Sequence, residues 1–140
     1  MPNFRLMCGE IVLRIIDKKT WLDNDGRVLS EAYLLWRKAD AETGLSVRRA
    51  CLCTVGQCKT KLNNGRGVDS LHTGHVSEMG LEIWQNDPAE EDHAGIVGLP
   101  HWFDKDNLTM EEINRAEDLA SMLAEHSRRR SREAWRRNKP

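Results

Sequence analysis

Cys51, Cys53, Cys58, His72 and His75 are of the types that hold a soft metal or perform nucleophilic chemistry. Zinc needs four nitrogen or sulfur donors converging tetrahedrally at about 2.0–2.3 Å. Cys51 and Cys53 would share one face of a strand, and His72 and His75 one face of a helix. The one-residue gap between the first two cysteines misses the two-to-four-residue spacing of structural zinc knuckles, so half-buried thiols are the simpler assignment and zinc the alternative. A Cys58 nucleophile with His72 or His75 as its base is a further arrangement. No His-Glu-x-x-His follows that would supply a metalloprotease base. Gly65-Arg-Gly67 lacks the pattern of a phosphate-binding loop. Asp87, Glu90, Glu91 and Asp92 lack calcium-loop spacing and read as a solvated acidic loop.

The C-terminus makes a stronger chemical statement. Residues 126–140 hold Arg128, Arg129, Arg130, Arg132, Arg136, Arg137 and Lys139 against the single acid Glu133. The whole chain has 21 basic and 22 acidic residues, which leaves fourteen and twenty-one, a net of −7, for residues 1–125. An acidic body with a tail of +6 is polarised, and such asymmetry marks a surface made for a partner. The cations can neutralise phosphates or an acidic protein face, and Trp135 can stack on a base or fill a partner's pocket. A solvated helix end is the bland alternative, because cations near a helix C-terminus are favoured by its dipole.

The elements that must position these groups follow from periodicity. Glu10–Ile16 is a β-branched run and reads as a buried strand. Asp23-Asn-Asp-Gly-Arg27 is a turn, and Val28–Trp36 reads as a short helix from Ser30 passing into a strand. Leu45–Val47 alternates as a strand after the Thr43-Gly44 turn. Val55, Cys58 and Leu62 fall at helical spacing. Val68–Leu71 reads as a strand, and Thr73 as the cap of a short helix ending at Gly80. Leu81–Trp84 and Ala94–Leu99 predict a hairpin across the acidic loop. Thr109-Met-Glu-Glu112 is a capping box. The stripe Ile113, Ala116, Leu119, Ala120, Leu123 and Ala124 then predicts a helix to about Ser127, extended by the Arg-rich stretch as a solvated helix. Glu111 and Arg115 stand at favourable i,i+4 spacing.

Asp69-Ser-Leu-His-Thr-Gly-His-Val76, Gly80-Leu-Glu-Ile83, Asp87-Pro88 and Asp92-His-Ala-Gly-Ile-Val-Gly-Leu-Pro100 together resemble a group of small prokaryotic α+β proteins. That group closes a compact domain with an Asp-Pro … His-Ala-x-Ile signature. The resemblance spans residues 10–100 and implies one compact domain of bacterial, cytoplasmic origin. It carries no activity, ligand or catalytic residue.

The expectation is an α+β domain with a small, mostly antiparallel sheet, short helices and a long C-terminal amphipathic helix. Residues 1–108 form the body, and 109–140 a capped helix with a basic tail packed on it. The leading function is a non-enzymatic accessory module that docks on a larger protein through the C-terminal helix and tail. The alternatives are a nucleic-acid-binding accessory protein, and a Cys/His zinc protein or thiol enzyme. No apolar run approaches the roughly 20 residues that span a bilayer, so no membrane partner is expected. The N-terminus shows no signal-peptide pattern, which places the protein in the cytoplasm.

Overall fold

The computed structural model describes residues 4–6, 9–16, 18–52, 67–85, 87 and 89–130. Among these residues seven strands form one antiparallel sheet: β1 (Phe4–Arg5), β2 (Ile11–Ile15), β3 (Leu45–Arg49), β4 (Val68–His72), β5 (Glu82–Gln85), β6 (His93–Val97) and β7 (Arg128–Arg130). Their order across the sheet is β1-β5-β6-β3-β2-β4-β7. Also among the described residues are two α-helices, α1 (Thr73–Glu78) and α2 (Met110–His126), and four 3-10 turns, which make the fold α+β. None of these helices is long and apolar enough to cross a membrane.

Strand alternation sorts the sheet into two faces. Val12, Ile16, Leu45, Val47, Leu71, Ala94 and Ile96 point to the main core. There they meet Ala116, Leu119, Ala120 and Leu123 of α2, together with Ala32–Leu35. Leu13, Ile15 and Val68 form a second, small cluster on the other face. The helix stripe is therefore part of the same core as the sheet. Ala124 packs at its margin, and Ile113 is half-buried.

The local chemistry explains most boundaries. The Asp23 carboxylate accepts the amides of Asp25 and Arg27, and Gly26 takes φ +80°, which closes the predicted turn. Buried Gln85 donates to the carbonyls of Asp87 and Glu90 and ties the acidic loop to the hairpin. At α2, Thr109 and Glu112 make both bonds of the capping box, at 3.1 and 3.0 Å. The backbone N–H of Thr109 holds the Glu112 carboxyl below its ordinary pKa.

Four expectations need correction. The Arg-rich stretch does not extend the helix: Ser127 ends α2 with extended backbone, and Arg128–Arg130 form β7 against β4. Ser127 Oγ lies 2.8 Å from the carbonyl oxygen of Ala124 in the last turn of α2, while the strand hydrogen-bonds of β4 claim the residues beyond. The cap of α1 is His72, whose Nδ1 accepts from the amide of Gly74 at 3.0 Å. Thr73 instead accepts the Glu10 amide and ties α1 to β2. Residues 28–36 form a 3-10 turn, Ser30–Tyr33, with no strand after it. Arg115 reaches the carbonyl of Gly98 rather than Glu111. The helix suggested by Val55, Cys58 and Leu62 lies outside the described residues.

Candidate functional site

The basic terminus begins on the sheet. In β7, Arg128, Arg129 and Arg130 stand opposite Ser70, Asp69 and Val68 of β4. Ser127 anchors the crossover from α2: its hydroxyl lies 3.0 Å from a carboxylate oxygen of Asp69, a residue with no solvent exposure. β7 is the last strand in the order, so its outer edge has no neighbour among the described residues. Beside it opens a depression of about 730 Å³, lined by Asp23, Arg27, Ser30, Asp69, Glu125 and Arg128. Arg132, Trp135, Arg136, Arg137 and Lys139 lie outside the described residues.

The cysteine and histidine candidates divide. His72 and His75 do come together, with ring centroids 5.7 Å apart. His126, from the last turn of α2, lies against His75 with ring centroids 4.4 Å apart and the planes tilted by 31°. This third imidazole was not singled out in the sequence, because only the packing of α2 brings it there. His72 is held by its cap bond: Nδ1 carries the lone pair, so the neutral ring has its proton on Nε2. Cys51 follows β3, on the opposite side of β2 from His72 in β4. Two strand spacings amount to about 10 Å of backbone separation. Its thiol lies 3.4 Å from the Glu10 carboxylate. Burial and then that carboxylate push the thiol pKa up, which leaves less of the nucleophilic thiolate. Among the described residues no group of three His, Cys, Asp or Glu side chains converges to hold a metal. Cys53 and Cys58 lie outside the described residues.

A third constellation pairs Ser46 with His93. Register puts Ser46 of β3 opposite Gly95 of β6, next to His93 on the same face. Ser46 Oγ and His93 Nε2 are 2.9 Å apart. Burial holds the His93 pKa below the ordinary imidazole value, and the nearby Arg48 guanidinium acts in the same direction. His93 Nδ1 is buried with no hydrogen-bond partner among the described residues. Arg48 is fixed by Glu90 at 2.9 Å and Asp92 at 3.4 Å. The separate strands around Ser46 and His93 were legible in the sequence. Their adjacency was not, since β3 and β6 are joined by neither a turn nor a recognisable motif.

No protein-family model, no curated protein and no solved structure matches the chain.

Proposed function

We propose that the protein is an accessory module without chemistry of its own. It docks on a larger protein through the basic C-terminal segment, and β7 offers the sheet edge to an extended acidic segment of that partner. The single observation that carries this reading is the placement of three consecutive arginines as the terminal strand of a seven-stranded sheet.

An open edge presents a row of backbone donors and acceptors, and charged residues there deter pairing with a second copy. Like charges of facing β7 strands would repel, whereas an acidic strand satisfies both the backbone and the arginines. A three-residue edge supplies few hydrogen bonds. The remaining cations, Arg132 to Lys139, therefore carry much of the attraction, which is screened within about 8–10 Å at physiological salt.

The test compares capture by immobilised full-length protein, a 1–130 chain, and a variant with Arg128, Arg129 and Arg130 changed to Glu. The expected result is a nuclease-resistant protein partner, retained at about 50 mM salt, weakened at about 200 mM, and lost with both altered chains. Capture unchanged by truncation at 130 would overturn the reading. Retention abolished by nuclease would transfer it to nucleic acid, where affinity falls steeply with salt for every phosphate neutralised.

A further inference from the structure

We propose that the cavity between β3, β6 and the 37–40 turn binds a small zwitterion: a free α-amino acid, or a ligand with the same paired ammonium and carboxylate. The cavity arises because two strands diverge. β2 pairs with β3 only at Val12↔Arg49 and Leu13↔Arg48, while β3 continues along β6 through Leu45↔Ile96. Arg14 bridges the gap, donating to the carbonyl of Ala32 at 3.0 Å and to that of Ser46 at 2.9 Å. The remaining space is about 320 Å³ and has Leu13 and Ile15 among its walls. That volume falls within the range of small-molecule sites, which combine apolar walls with a few convergent polar groups.

Charge selects the ligand class. Arg48 is already committed to Glu90 and Asp92. The side chains of Arg37 and Asp40, on the rim, make no hydrogen bond or ion pair among the described residues. Asp87, also lining the cavity, accepts the Ala89 amide through one oxygen and keeps the other. A simple anion would meet Asp40, Asp87 and Glu90; a simple cation would meet Arg14, Arg37 and Arg48. A zwitterion satisfies both sets, with its carboxylate at Arg37 and its ammonium between Asp40 and Asp87. The Ser46–His93 pair supplies neutral hydrogen-bonding groups beside it. His93 lines this cavity, and its buried Nδ1, which has no hydrogen-bond partner among the described residues, is the kind of orphan that calls for an explanation.

Thermal melting and calorimetry of the full chain test the proposal with the twenty α-amino acids, each at about 10 mM, because a ligand that binds only the native state raises its stability by RT ln(1 + [L]/Kd). For the best of them, the matching amine without a carboxylate and the matching acid without an ammonium serve as controls. At least one amino acid is expected to raise the melting temperature, and both controls to bind about tenfold more weakly, which is about 1.4 kcal/mol. Arg37→Gln and Asp40→Asn, both at the rim, should each weaken that binding about tenfold and leave the unliganded melting temperature unchanged. No response to any amino acid, or equal binding of either control, would overturn the proposal. So would full affinity in both rim variants. None of these readouts involves the C-terminal segment, so the outcome stands apart from that of the docking experiment.

Discussion

At the scale of single residues, His93 is the group whose protonation the fold resists. Its native pKa is depressed, first by burial and then by Arg48. The unfolded chain keeps the ordinary value of about 6.5. The unfolded state therefore binds more protons as pH falls below that value, and stability drops with it. The stabilising contribution is complete above about pH 6.5 and is lost toward the native pKa on acidification. Urea unfolding at about pH 7.5 and 5.5 should show that loss, and His93→Gln should flatten the slope between them. An equal slope in the variant would show that His93 is not the source of the acid sensitivity. The residue types at this site were visible in the sequence, but not their meeting. Ser46 and His93 are 47 positions apart, and only the β3–β6 register joins them. In the Cys/His set, His72 and His75 are near in sequence and in space, β2 stands between His72 and Cys51, and Cys53 and Cys58 lie outside the described residues.

At the scale of elements, local signals located what local chemistry decides. The capping box, the Asp23 turn, the β2 run and the β5–β6 hairpin all stand where periodicity and turn residues put them. Pairing between distant segments decided the rest. Arg128–Arg130 have no strand pattern of their own, and nothing before Pro140 breaks a helix. Ser127 and the waiting edge of β4 end α2 instead. The Thr43-Gly44 turn shows a second long-range constraint. A Cβ on Gly95 would lie 1.7 Å from the Thr43 carbonyl oxygen, and one on Gly44 would lie 2.5 Å from that of Ile96. Both obstacles are backbone, which cannot rotate away. Gly95→Ala must therefore shift the turn off β6. It should cost at least the 1–3 kcal/mol typical of overpacking, read as a lower urea midpoint at unchanged pH. A variant as stable as the parent would show that the turn yields at little cost.

At the scale of the whole molecule, the chain end that pairs with the sheet is also the one proposed to dock, and nested truncations separate the two roles. A chain ending at 130 keeps α2, Ser127 and β7, so it should melt like the full protein while losing the cations from Arg132 to Lys139. Ending at 126 removes β7 and the Ser127 hydroxyl from the fully buried Asp69. Losing a hydrogen bond at a buried polar group costs about 1–3 kcal/mol, so that chain should fold with a clearly lower melting temperature. Ending at 108 removes Ala116, Leu119, Ala120 and Leu123 from the single main core. Each buried leucine alone is worth about 1.5–3 kcal/mol, and small domains have only about 5–15 kcal/mol in total. The 1–108 chain should therefore show no cooperative melting transition in circular dichroism and little dispersion of its amide resonances. A sharp transition near that of the full protein would mean that residues 1–108 form a self-sufficient body and that α2 is an appendage. In that case α2, as well as the arginines, would be free to leave the sheet and take part in docking.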